Sequence, residues 1–209
     1  MLSRDARYLA AAVQGIVAWE WLVSGANKIL SGTFPQGLAG TLRDGIKSNP
    51  NGWYVSLLQE LVLPHSVAFG YAVEFAEILI GVALLAGTIF LLGPVRHQGD
   101  PQYRLAVGEV VAAALASLVC AFLCINFHFF MGAGLFPGID TAKAFGEGIS
   151  LDTLMPPISI LILCVNIYVL GDMTGRPIPQ LLRRIVSGDR SFLSGSQKIV
   201  TSTVDSSSQ

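Results

Sequence analysis

The sequence is short of charge. Only 13% of its 209 residues are Asp, Glu, Lys or Arg, roughly half the ~25% of ordinary soluble domains. The charges nearly cancel, to a net −1. No basic stripe interleaved with aromatics occurs, which excludes nucleic acid as a partner. Cysteine is scarce as well. Cys120, Cys124 and Cys164 all lie inside apolar runs, and none stands at zinc-ligand spacing from a second Cys or His. That argues against a disulfide framework and against a metal site. What the chain has in quantity is apolar surface: 52% hydrophobic residues and a mean hydropathy of +0.59.

The apolar residues are gathered into runs. A helix needs about 20 of them to cross a ~30 Å hydrocarbon core, and four stretches qualify: about 8–30, 66–92, 105–131 and 154–170. The fourth is short unless it begins nearer 150. Lipid offers no water to satisfy backbone N–H and C=O groups, so spans of this length are helices, and they are far too long for barrel strands. The expected fold is therefore all-α, a four-helix transmembrane bundle. The first run is too long for a cleavable signal and carries Glu20, so it reads as an anchor that stays. Residues 1–175 form the membrane domain, and 176–209 form a cytoplasmic amphipathic segment with a Ser-rich tail.

Lys and Arg set the orientation. The N-terminus, the 93–104 turn and the C-terminal tail together hold nine of them, and the other side holds four: Lys28, Arg43, Lys47 and Lys143. Both ends are expected in the cytoplasm, in a multi-pass protein of the cytoplasmic membrane. The first outer loop, about 31–65, contains Phe34, Trp53, Tyr54 and the apolar run 56–63. That run is expected to be a short interfacial helix, broken by Pro64 before the second span, with Trp53 and Tyr54 at headgroup level. The loop as a whole reads as a lid on the outer face. After the fourth span, 177–185 with Arg183 and Arg184 is expected to lie on the inner leaflet.

Ionisable residues inside spans are costly, by about 2.5–3.5 kcal/mol at a helix centre on insertion scales, so they are where function is sought. Glu20, Ser24, Asn27 and Lys28 fall on one helical face of the first span. Gly70, Glu74, Glu77 and Gly81 do so on the second, and Ser117, Cys120, Cys124 and His128 on the third, with Asn126 beside them. The fourth offers Ser159 and Asn166. At about 1.5 Å per residue, Glu20, Glu74 and Glu77 all lie roughly 12–17 Å below the outer ends of their spans. Lys28, His65 and His128 lie above them. Converging faces would line one polar path from the outer loops to mid-membrane.

Each residue has a plainer reading. A lone carboxylate in a span often pairs with a Lys. Glu74 and Glu77, one turn apart, are not both expected to ionise. His65 and His128 also suit solvated boundary positions. A bis-His haem between the second and third spans is disfavoured, because neither His lies deep in a span. Cys120 and Cys124 suit small packing residues. Trp19 and Trp21 flank Glu20 as lipid-facing or core aromatics. An apolar groove with a few polar groups fits an isoprenoid quinone better than a hydrophilic solute.

Two segments carry a family likeness. Arg7, followed by GIVAWEWLVSGANK over 15–28, resembles the R…G…F/W-x-x-x-G-x-x-K pattern of the DoxX/DoxD membrane proteins, and EFAEILIGVALLAG over 74–87 resembles their E-x-x-x-G-x-x-L-x-x-G segment. The likeness covers about 7–175 and carries over onto Arg7, Gly25, Lys28, Glu77 and Gly81. It implies a bacterial or archaeal membrane subunit like that of thiosulfate:quinone oxidoreductase, which couples thiosulfate oxidation to quinone. Such a subunit is expected to contact membrane lipid and to form homo- or hetero-oligomers with other redox subunits. On that reading Glu77, Glu74 and Glu20 are the catalytic candidates, and Lys28, His65, His128, Asn126 and Asn27 are candidates for holding quinone or an anionic substrate. Quinone enters as substrate, with no haem or metal expected. The alternative is a non-catalytic accessory subunit of a respiratory or photosynthetic complex.

Overall fold

A computed structural model of the chain describes residues 2–94, 99–132 and 151–175. Among them there are only helices, turns and short connections. α1 spans Arg4–Ser31, α2 Phe34–Ser48, α3 Gly52–Leu57, α4 Ser66–Leu92, α5 Tyr103–Phe130 and α6 Leu151–Thr174. Four helices are long and apolar enough to cross a membrane, as expected, and the fourth indeed begins near 150. The centre of the 93–104 turn, most of the 132–153 loop, the 177–185 segment and the Ser-rich tail lie outside the described residues.

α1 packs chiefly on α4 and α5 chiefly on α6, and α4 against α5 joins the two pairs. Small residues bring α1 and α4 close, as van der Waals packing in lipid requires. A Cβ added at Gly81 would lie 2.6 Å from Leu22 Cγ, and one at Gly25 would lie 3.0 Å from Ile78. These contacts set an antiparallel register in which Leu22 faces Gly81 and Gly25 faces Ile78. Large apolar side chains point outward, Ile16 and Trp19 each 71% exposed. That is the reverse of a soluble bundle and the arrangement lipid favours. Trp21, two residues on, is buried in the core with Val17, Leu84 and Cys120.

The ends of α1 are closed locally. Ser3 Oγ accepts from the Ala6 N–H, and Gly32 ends the helix in the left-handed region, φ 63°, its N–H donating to Ile29 O. Glycine adopts that φ without the Cβ clash that penalises other residues.

The stretch 31–65 is more helical than its sequence suggests. α2 is an amphipathic helix over what reads as a loop, with Pro35 in its first turn and Leu42 buried. Leu38, Leu42 and Ile46, at i, i+4 and i+8, pack against Tyr54 and Leu58 of the following segment. On its exposed side the Lys47 ammonium, hydrogen-bonded to Asp44 at 2.8 Å, holds that carboxyl below the usual carboxylate range.

Pro64 does not break the chain out of helix as expected. α3 passes into a π turn at Leu58–Val62, then a 3-10 turn at Leu63–His65, and then α4. The altered turns accommodate the proline's missing N–H without ending the helix. The segment is fastened to the bundle by hydrogen bonds to the end of α5. Asn49 Nδ2 donates to Phe129 O (2.8 Å) and Phe130 O (3.1 Å), and Tyr54 Oη donates to Asn126 O at 2.9 Å. Phe130 O is among the last four carbonyls of α5, which have no partner within the helix.

A buried ion pair and an unpartnered acid as candidate site

Lys28 stands in the last turn of α1, and its side chain leans back along the helix, as Cα–Cβ vectors do. In the α1–α4 register this brings it to Glu77. Lys28 Nζ donates to Glu77 Oε1 at 2.8 Å and Oε2 at 2.7 Å, and to Ser24 Oγ at 2.8 Å. All three ammonium hydrogens are thereby used. Glu77 is 1% exposed, while the Lys28 side chain is 22% exposed. Phe34, the first residue of α2, closes over the ammonium, its ring centroid 5.3 Å from Nζ. Gly25 is necessary here, because a Cβ at that position would meet Glu77 Cβ at 3.1 Å.

Glu74 lies one turn nearer the N-terminus of α4, on the same face as Glu77, and is also buried. Its Oε1 has no hydrogen-bond partner among the described residues. One turn beyond it, Gly70 packs against Pro35, a Cβ there falling 2.5 Å from Pro35 Cα. Glu74 therefore sits beneath the first turn of α2, between that contact and the ion pair. Tyr71 and Phe75 beside it on α4 are exposed on the lipid side. An ionised carboxylate buried without a counter-charge is expensive. Glu77 has its counter-charge in Lys28, and Glu74 has no ion pair among the described residues.

The remaining sequence candidates are distributed differently. Glu20 is half-buried on α1. Asn27 is exposed. His65 is exposed at the start of α4, and His128 is half-buried against Phe129, with ring centroids 5.7 Å apart. Asn126 faces Tyr54 of α3: its Nδ2 donates to Phe122 O and its Oδ1 stands 3.5 Å from Tyr54 Oη. Lys28, expected to greet an anion, is spent on Glu77 and Ser24.

The polar face of α5 turns towards α6. Cys120 Sγ lies 2.9 Å from Ser159 Oγ, and Ser117, Cys120 and Cys124 are all buried in the core. Neither Cys120 nor Cys124 is in a disulfide. Trp21 Nε1 is buried nearby and makes no hydrogen bond among the described residues. No three His, Cys, Asp or Glu side chains gather as a metal cluster among the described residues.

One polar residue was missed by the sequence reading. Gln14 is 1% exposed and links three helices. Its Nε2 donates to Leu84 O at 2.9 Å, and its Oε1 accepts from Asn166 Nδ2 at 2.8 Å. Gly87 leaves the room, since a Cβ there would meet Gln14 Nε2 at 2.5 Å. The signal was available: a Gln inside an apolar run must hydrogen-bond to something. Comparison with protein-family models, curated proteins and solved structures finds no match for this chain.

Proposed function

We propose that the chain is a membrane redox subunit of the DoxD kind, in which a lipid-soluble quinone meets Glu74 in the outer half of the bundle. Both ends then face the cytoplasm, α2 and α3 lie in the outer interface, and the membrane is the cytoplasmic membrane of a bacterium or archaeon. The quinone head enters laterally past Tyr71 and Phe75, beneath the first turn of α2. Two electrons from an extracytoplasmic donor and two protons convert the quinone to quinol. With thiosulfate as donor, two ions join through a new S–S bond to give tetrathionate and release those two electrons. Glu74 hands a proton to the quinone oxygen and regains one from outside. Glu77 remains an ion-paired brace for this acid, with Lys28 as its counter-charge. Donor oxidation is assigned to a further redox subunit, with which this chain assembles.

The observation carrying this reading is the buried Glu74 carboxyl with an oxygen left without a partner. Sites of that kind inside a membrane mark proton or substrate paths. Glu74→Gln preserves shape and hydrogen bonding and removes proton exchange. In native membranes holding the full chain together with its partner redox subunits, with thiosulfate as donor and a short-chain quinone as acceptor, turnover falls by about 100-fold or more. Unchanged turnover in Glu74→Gln overturns the role of Glu74. Absence of quinone-linked turnover in the unaltered membranes overturns the redox reading.

One observation favours a second reading, a non-catalytic accessory subunit. Every donor of Lys28 is already engaged within the chain, which suits a structural fastening of α1 to α4. On that reading quinone does not alter the protein's melting at any concentration, and Glu74→Leu is stabilising.

A further inference from the structure

At the end of the bundle away from the ion pair, the first turn of α1 and the last turn of α4 enclose a groove of about 480 Å³. Arg4, Arg7 and Tyr8 line its polar side, Leu2 and Leu92 its apolar side. Among the described residues no carboxylate lines it, Asp5 included. Arg7 is held in place from behind. Its Nη2 donates to Leu91 O at 2.8 Å and Gly93 O at 2.7 Å, closing the C-terminus of α4. Its Nε and Nη1 keep their hydrogens unassigned among the described residues. Arg4 Nε donates to Tyr8 Oη at 2.8 Å, and its guanidinium carbon stands 5.3 Å from the Tyr8 ring centroid. The Nη groups of Arg4 make no hydrogen bond among the described residues.

The level of this groove follows from length. At about 1.5 Å per residue, the 28 residues of α1 reach roughly 42 Å, beyond a ~30 Å hydrocarbon core. A helix centred on that core would carry its first turn at headgroup depth. Below it the helix surface is apolar and open, with Leu9 69% and Ile89 63% exposed.

We propose that this groove is a binding site for one anionic phospholipid. The phosphodiester lies between the guanidiniums of Arg4 and Arg7, which present planar N–H pairs suited to phosphate oxygens. The acyl chains run down past Leu92 and Leu9. Two cations with no carboxylate leave nothing to partner the ammonium of a zwitterionic headgroup, so the site selects net negative lipid. This inference is independent of the quinone reading.

The test is native mass spectrometry of the full chain released from bilayers of equal phosphatidylglycerol and phosphatidylcholine. The expected result is one retained phosphatidylglycerol per chain, with occupancy about fivefold lower in Arg4→Gln, the loss of one basic contact. Arg43→Gln, an exposed basic residue outside the groove, leaves retention unchanged. Arg7→Gln also uncaps α4, so Arg4→Gln carries the comparison. Equal retention of the two lipids, or equal loss in Arg4→Gln and Arg43→Gln, overturns the proposal. So does displacement of the lipid by millimolar inorganic phosphate, which would assign the groove to a soluble anion.

Discussion

Replacing Lys28 by Met tests the ion pair most severely. The substitution keeps an unbranched stem of similar length and deletes the ammonium. Glu77, 1% exposed, is left with both oxygens stripped of their 2.7–2.8 Å donor. Removing one partner of a buried pair costs about 3–5 kcal/mol. The Lys28 side chain is 22% exposed, so water can reach part of the vacated site, and the lower figure, about 3 kcal/mol, is the expectation. For a chain of this size ~1 kcal/mol moves the melting temperature by about 2–4 °C, giving a fall of roughly 6–12 °C. The double variant Lys28→Met, Glu77→Leu removes both charges and is expected within about 1 kcal/mol of the unaltered protein, because an apolar pair needs no desolvation. Thermal unfolding in one detergent, followed by helical circular dichroism, reads all three variants. A Lys28→Met protein that melts like the original refutes the reasoning, and so does a double variant no better than the single one.

The packing makes three further predictions. Gly70→Ala drives a methyl into the Pro35 backbone and costs about 1–3 kcal/mol, whereas Gly108→Ala, with nothing within 4 Å, is neutral or stabilising by up to about 1 kcal/mol; parallel melts decide. Gln14→Leu breaks the bonds to Leu84 O and Asn166 and costs about 1–2 kcal/mol, the scale of interhelical hydrogen bonds in membranes, measured by the same melts. Asn49→Ala removes two of the three hydrogen bonds that tie the α2–α3 segment to the end of α5, so amide exchange over 34–48 quickens by about fivefold to tenfold while exchange in the core of α5 is unchanged.

The spans were legible because lipid imposes one rule on every crossing segment: enough consecutive apolar residues, with the backbone satisfied internally. α2 was harder to see. Its glycines at 37, 40 and 45 and its charges at 43, 44 and 47 mask the helical spacing of Leu38, Leu42 and Ile46. Pro35 in the first turn, a favoured helix-start position, was the cue. Pro64 misled in the other direction, since a proline flanked by π and 3-10 turns bends helical chain without ending it.

Glu74 and Glu77 were singled out correctly as buried, yet what separates them is their partners, and partners depend on register. Nothing in the spacing of either span says that Lys28 meets Glu77 rather than an incoming anion. The contacts of Gly25 with Ile78 and of Gly81 with Leu22 decide it. His128 and Asn126 shared a helical face with Cys120 and Cys124, but a face of 12 residues runs from the bundle core to the lid, and its outer members serve the lid.

The quinone reading stands or falls on where a quinone binds. A photoactivatable quinone, irradiated with the full chain in bilayers and mapped by peptide mass spectrometry, answers this directly. The account predicts saturable labelling around Gly70–Ile78 and at the start of α2 near Phe34, competed by unlabelled quinone. Label confined to other helices, or label that excess quinone does not displace, contradicts it.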